Sequence, residues 1–477
     1  MEDLVNIIPE ITLALSSMIF LMIGAFMKSR SLNLILFSTT IVLLSLSSLE
    51  FFSSWDIIFV FNNSLIEDGL SRFSKIIIFL SSALSIILAT KWLKNFNQDS
   101  FEFPILILLS TLGMALMVSA NSLISLYLSM ELQSLPLYVL AAYQRNNVYS
   151  SEAGVKYFIL GALSSAMFLY GASLIYGFTG SLLYSDIASF SVGIVNIGFT
   201  LGLVFIISGI IFKISVVPFH MWTPDVYEGS ATPVTAFFAA VPKMAALVAL
   251  VRLLYQPFGG IPESWMQIII FVSLSSIALG AIAAIMQTNI KRLIAYSSIS
   301  HMGYALLVLA TGNANQISSL LVYVVIYIIT NIGFFACLIN LQSSSDNKII
   351  NIDDLSGLSE HHPVMAFGVS MFMFSFAGIP PLAGFFGKYL IFISVIEEGM
   401  IFLAVFGLVA SVIGAFYYLR IVKIMFFDDS KHVLSHSFSR GLNILGFLCC
   451  FFVMAFIVIL SFSPLMEIAE QAIFALN

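Results

Sequence analysis

The chain has 477 residues, of which 60% are hydrophobic and only 9% charged, with a formal net charge of −6. Soluble domains carry about 25% charged residues, so a soluble multidomain protein is excluded. The acidic balance offers no basic surface to nucleic acid, and the partner that this composition requires is a lipid bilayer.

Apolar runs of the length a bilayer demands place about fourteen transmembrane helices. In chain order they fall at 5–27, 32–50, 73–93, 104–120, 123–143, 153–177, 192–224, 231–256, 265–287, 292–311, 316–341, 364–396, 399–426 and 441–464. The opening MEDLVNIIPE has no basic stretch, so the first run is expected to remain as a span rather than act as a cleaved signal. The runs are continuous rather than alternating, which excludes a membrane β-barrel. Between spans two and three, IIFVFN at 57–62 is expected to form a short external strand. The longest loops, 50–72 and 342–363, are too short to fold alone.

Cation placement tests this reading. With both termini outward, the inner loops hold Lys28, Arg30, Lys91, Lys94, Arg145, Lys156, Lys291, Arg292, Lys348, Arg420, Lys423, Lys431 and Arg440. The outer side holds only Arg72, Lys75 and Arg252. Lysine and arginine concentrate on the inner side of membrane proteins, so the bias supports both the count and the orientation.

Two spans carry helix breakers. The seventh reads FKISVVPFHMWTPDVYEG (212–229) and the twelfth FAGIPPLAGFFGKYL (376–390). Proline removes an amide donor and clashes with the preceding turn. Irregular backbone at membrane depth is tolerated only where protein or water surrounds it. The breaks lie five spans apart, an odd offset, so the two broken spans run in opposite directions. That is the mark of an inverted repeat around a transport site. The expected fold is thus an all-α polytopic membrane protein with two inverted five-helix repeats. Spans 1–3 occupy 1–103, the first half (spans 4–8) 104–256, the second half (spans 9–13) 265–426, and the last span 441–464.

Four charges lie inside apolar runs: Glu131, Lys213, Lys243 and Lys388. A charge at the bilayer centre costs about 3 kcal/mol on insertion scales, and those that persist mark ion or proton pathways. A lysine near a span end can instead snorkel to the interface, an alternative that applies most to Lys213 and Lys388. His220, beside the first break, and His301, in span ten, are weaker candidates, because neutral histidine packs readily as well as titrating near neutrality. Cys337, Cys449 and Cys450 lie in apolar runs without a CxxC pair, so no iron–sulfur or zinc site is expected. GFFGKY lacks the glycine and hydroxyl spacing of a phosphate loop, and no dinucleotide fingerprint is present.

The stretch PFHMWTPDVYEGSATPVTAFFAAVPKMAAL (218–247) closely resembles the antiporter-like membrane-arm subunits of bacterial respiratory complex I, the proton-pumping NADH–quinone oxidoreductase. SLYLSMELQSLPLYVL (125–140), SSAMFLYGASLIYGFTG (164–180), IKRLIAYSSISHMGYALL (290–307) and SFAGIPPLAGFFGKYLIF (375–392) match as well. The combination of VYEG, TPVTAF and VPK with lysine rather than glutamate at 388 is most similar to the subunit N branch. The resemblance covers the chain from the third span on. It implies that Glu131 and Lys213 form the central carboxylate–lysine pair of the first half. Lys243 would be the connecting lysine and Lys388 the terminal one. It also implies a bacterial inner membrane location, neighbouring membrane-arm subunits as partners, and no cofactor in this chain. NADH, FMN, iron–sulfur clusters and quinone would then belong to partner subunits. Multisubunit cation/proton antiporters share the fold and the buried lysines, and stand as the alternative.

Lysine suits such a relay because burial disfavours its ammonium and a nearby carboxylate restores it. Arginine stays charged. Protons are therefore expected to pass along Lys213, Lys243 and Lys388, with Glu131 setting when Lys213 keeps its proton.

Overall fold

The structure is a computed structural model, which describes residues 2–27, 32–95, 100–191, 196–341, 350–430, 439–456 and 463–476. Helices α1 (Glu2–Asn6), α2 (Ile8–Met27) and α3 (Leu32–Phe52) lead to an antiparallel hairpin of β1 (Ile58–Val60) and β2 (Leu65–Glu67), and then to α4 (Gly69–Asn95). Next come α5 (Glu102–Val118), α6 (Leu123–Ala141), α7 (Val148–Thr179), the short α8 (Tyr184–Ser191), α9 (Ile197–Ile214), α10 (Trp222–Gly229) and α11 (Thr232–Tyr255). They are followed by α12 (Pro262–Ile285), α13 (Ile290–Leu309), α14 (Ile317–Leu341), α15 (Leu358–His361), α16 (Pro363–Ala377), α17 (Ala383–Glu397) and α18 (Ile401–Phe427). The last described helices are α19 (Arg440–Ala455) and α20 (Ser463–Ala472).

Ten of these helices are long and apolar enough to cross a membrane by themselves. The shorter α5 and α19, the polar-started α13 and the broken pair α16–α17 lie at the other four expected spans. The protein is an all-α polytopic membrane protein. Several boundaries differ from expectation. The third span begins at Gly69 rather than 73, because Asp68 caps it: Ser71 N donates to Asp68 Oδ1 at 2.8 Å, and Asp68 N donates to Ser71 Oγ at 2.8 Å. Span fourteen, expected over 441–464, is described only to 456, and a separate helix, α20, starts at Ser463 and packs on α4 and α14. The short α8 had no apolar run to announce it. Lys28, Arg30, Lys348 and Lys431 lie outside the described residues.

The two halves repeat each other's packing. Helix α5 packs on α6 and α11 as α12 packs on α13 and α18; α9 meets α11 as α16 meets α18; α7 meets α10 as α14 meets α17. The breaks repeat in detail. Each half-helix ends on a left-handed residue, Ser215 at φ 70° and Gly378 at φ 81°. Ser215 N donates to Ile211 O and Phe212 O, and Val216 N returns to Ile211 O. Gly378 N donates to Phe374 O and Ser375 O, and Ile379 N returns to Phe374 O. The orphan carbonyls of both half-helices are thus satisfied the same way.

Close approach holds the second break together. A Cβ on Gly384, at the start of α17, would stand 1.8 Å from Ser375 O of α16. Gly384→Ala must push the two half-helices apart, at a cost of about 1–3 kcal/mol, the usual penalty for overpacking. The expected result is a lower thermal midpoint of the detergent-solubilised protein, and an unchanged midpoint would contradict the contact.

Charged side chains gather at two opposite ends of the bundle. At one end, Arg292 reaches Asp225 at 2.7 Å and Glu228 at 2.8 Å, and Lys156 reaches Asp225 at 2.6 Å. Lys291 Nζ caps the end of α10, donating to Glu228 O at 2.6 Å and Ser230 O at 2.7 Å. This cluster ties α7, α10 and α13 together and places Lys156, Lys291 and Arg292 on one side, as the cation count requires. At the other end, the three cations expected outside are all buried against carboxylates. Arg72 meets Glu50 at 3.1 Å, Lys75 meets Glu10 and Glu67, and Arg252 grips Asp68 with two bonds of 2.9 and 2.8 Å. Burial alone would raise the Asp68 carboxyl; the Arg252 guanidinium outweighs it and holds the group below its usual range. These cations present no free positive charge, which explains how they sit on that side without breaking the bias.

Candidate functional site

Lys213, Lys243 and Lys388 are all buried, at 4%, 1% and 7% exposure. Snorkelling is therefore not their role. Each ammonium is met by hydroxyl or carbonyl oxygens, and none forms an ion pair among the described residues.

Lys213 lies in the last turn of α9, where the helix dipole favours a cation. Its Nζ donates to Ser134 Oγ of α6 at 2.6 Å and stands 5.8 Å from the centre of the Tyr138 ring. Glu131 is on the same helix, one turn before Ser134, but it does not pair with Lys213. Its carboxylate accepts a hydrogen bond from Ser165 Oγ of α7. In place of a direct Glu131–Lys213 ion pair, Ser134, one turn further along α6, takes the lysine, and Glu131 acts on it through charge alone. The cause is the helix turn: Ser134 projects toward the end of α9, whereas Glu131 belongs to the side of α6 that bears the exposed Leu128 and Leu135.

Lys243 sits midway along α11, whose residues 232–254 are all buried. Its Nζ donates to Ser298 Oγ of α13 and stands 5.5 Å from the centre of the Tyr227 ring. The hydroxyls of Tyr227 and Tyr327 both lie beside the same Ser298, so that Lys243, a serine and two tyrosines form one polar cluster in the core. From Lys213 to this point runs a line of aromatic contacts. Tyr138 packs edge-on to Tyr157 at 4.8 Å, Tyr157 stacks on Trp222 at 4.4 Å, and Trp222 meets Tyr227 at 6.5 Å.

His301 follows Ser298 by one turn of α13 and joins the second half of the line. Its Nδ1 is 2.6 Å from Tyr323 OH and its Nε2 3.1 Å from Tyr418 OH. Beside it lies a cavity of about the size of one water, lined by Ser300, His301, Tyr304, Lys388, Ser411 and Tyr418 among others. Lys388 Nζ closes the far side, donating to Ser411 Oγ at 2.9 Å and to Ala377 O at 3.0 Å. Ala377 is the last residue of α16, so Lys388 folds back from α17 to the carbonyl end of the first half-helix. The two break lysines thus occupy opposite chain positions, one before its break and one after it, yet both serve the C-terminal end of a half-helix.

His220 is different. It lies half-buried in the first break, its Nδ1 has no partner, and no described contact joins it to another site residue. The sequence reading missed the tyrosines that fill the gaps and the hydroxyls of Ser134, Ser165, Ser298 and Ser411. One signal was available for the tyrosines, since a tyrosine deep in an apolar span must find a partner for its hydroxyl. Among the described residues no set of His, Cys, Asp or Glu could hold a metal ion.

Comparison with known proteins gives a consistent picture. Residues 120–414 match the family described as NADH:quinone oxidoreductase/Mrp antiporter, TM. NADH-quinone oxidoreductase subunit N of Parvibaculum lavamentivorans is 49% identical over 424 residues, 89% of this chain and 88% of that one. In the structure of respiratory complex I from Thermus thermophilus with bound aureothin, one chain is 31% identical with a TM-score of 0.80, covering 95% of this chain and 98% of that one. A chain of the Mrp complex from Dietzia has a TM-score of 0.86 at 19% identity over 98% of this chain and 97% of that one, a likeness of fold alone. The chain belongs to the NADH-quinone oxidoreductase subunit N family, within the wider NADH:quinone oxidoreductase/Mrp antiporter group of membrane proteins.

Proposed function

We propose that the chain is a proton-translocating membrane subunit of a bacterial NADH-quinone oxidoreductase, with Glu131, Lys213, Lys243 and Lys388 as proton-carrying groups. The observation that carries this reading is the line of three buried lysines, each bonded only to neutral oxygens and joined by tyrosines and His301. A fixed structural charge would be paired with a carboxylate, as Arg252 is with Asp68. A group that must gain and lose a proton is better served by hydroxyls, which can donate or accept. Redox work lies with partner subunits holding NADH, FMN, iron–sulfur clusters and quinone, and this chain joins neighbouring membrane-arm subunits in the inner membrane. The cation asymmetry supports periplasmic termini. The first and second halves, 104–256 and 265–426, are the units that the repeat pairs.

The same buried lysines would suit a cation/proton antiporter subunit. Affinity purification of the tagged chain from native membranes separates the two readings. Co-purification of NADH:quinone oxidoreductase activity with proton uptake into liposomes is the expected result. Sodium-driven proton exchange without NADH oxidation would overturn it.

A further inference from the structure

Five ionisable side chains at the end of the bundle remote from the Asp225–Arg292 cluster take no part in the lysine line. Glu10 of α2, Glu50 of α3, Glu67 of β2, and Arg72 and Lys75 of α4 converge there, and none is more than 7% exposed. Lys75 Nζ is 2.6 Å from Glu10 Oε1, 2.5 Å from Glu67 Oε1 and 3.9 Å from Glu50 Oε1, while Arg72 Nη1 holds Glu50 Oε2 at 3.1 Å. Ser119 Oγ donates to Glu67 Oε1 at 3.0 Å. The adjacent Asp68–Arg252 pair is neutral by itself. Three carboxylates therefore face two cations, and a buried, uncompensated negative charge is expensive. The second carboxylate oxygens of Glu10 and Glu67 have no hydrogen-bond partner, although both side chains are almost wholly buried. The carboxylates do not form a metal-ligand set.

We propose that this cluster is a second proton-binding site, separate from the central lysines, in which Glu67 takes up one proton and shares the neighbourhood of Lys75 with Glu10. The unpartnered oxygens are where that proton is held. The electrostatics agree: burial raises the Glu67 carboxyl, Lys75 draws it down, Glu10 pushes it up again, and the balance leaves it at about 7. A carboxyl raised in this way is ionised above its midpoint and protonated below it, so the site fills as the pH falls through neutrality. Glu67 and Asp68 are consecutive, so the proton lies one residue from the bond that ties the strand to α11, the helix of Lys243.

The test is an infrared pH titration of the purified membrane assembly containing the chain, which needs no turnover and so is independent of the activity it performs. The native protein should show a protonated-carboxyl band that disappears as the pH rises through neutrality, and Glu67→Gln should lack it. Glu10→Gln removes the neighbouring like charge and should move the midpoint down by about one unit or more. Ser119→Ala removes only one hydrogen bond to the Glu67 carboxylate, leaves assembly intact where the glutamine variants fail, and should move the midpoint up. A band that persists in Glu67→Gln, or a midpoint that neither Glu10→Gln nor Ser119→Ala moves, would overturn the site.

Discussion

Lys243→Met is expected to cut proton translocation at least about tenfold, the effect of roughly 1.4 kcal/mol on a rate-limiting step. Methionine matches the length and volume of the lysine stem, and volume-conserving exchanges in a packed interior are tolerated well. Helix α11, buried along its length against α4, α5, α9 and α14, should therefore keep its place. What is lost is, among the described residues, the one ammonium between the two halves of the line: with Lys243 gone, Ser298 faces a thioether and the described path from Tyr227 to His301 lacks a cation. The measurement is proton uptake by liposomes containing the assembled enzyme, with NADH oxidation followed in parallel. Native coupling in Lys243→Met would show that protons bypass α11. A variant that oxidises NADH slowly with the native proton ratio would place the lysine in assembly rather than in transfer.

The features legible in the sequence were the local ones. A span is announced by its own apolar residues, and a break by its own prolines and glycines, so the crossings and both broken helices could be read directly. The cation asymmetry could be read because it is a property of loops. Arg72, Lys75 and Arg252, the three exceptions to it, are each paired with Glu50, Glu10, Glu67 or Asp68. What could not be read at the site is which side chain meets which. Glu131 and Ser134 differ by three positions, and which of them faces Lys213, 79 residues beyond Ser134, depends on the rotation of α6 against α9. No periodicity encodes that rotation when hydrophobic residues surround the helix on every side.

The motif around the first break shows the same limit. Asp225 and Glu228 stand in the stretch that carries the family resemblance, yet they bind Lys156 and Arg292 and Asn289 rather than the central lysines. Their place is to anchor α10, the second half of the broken span, to α7 and α13. His220, in the same motif, is held by neither group. Packing divides the residues of this motif between a clamp and a loop.

Lys388→Arg is expected to stop proton delivery at the far end of the line, again by at least about tenfold, although it preserves the charge. Arginine cannot release its proton at any physiological pH, so it would act as a plug where lysine acts as a carrier. The site can receive the larger head group because a water-sized cavity adjoins it, bounded by His301, Tyr304, Ser411 and Tyr418. The carbonyl of Ala377 and the hydroxyl of Ser411 remain as acceptors. Lys388→Ala should fail as well, for the opposite reason, because no cation is left at the carbonyl end of α16. The two variants together separate the explanations. If Lys388 were only a fixed charge balancing that helix end, Lys388→Arg would pump normally and Lys388→Ala would not. Failure of both, with the enzyme assembled and still oxidising NADH, is the outcome that a proton-exchanging lysine requires. The reversed chain positions of Lys213 and Lys388 then acquire a reason: a carrier is needed at the C-terminal end of each half-helix, and a side chain long enough to reach it can come from either side of the break.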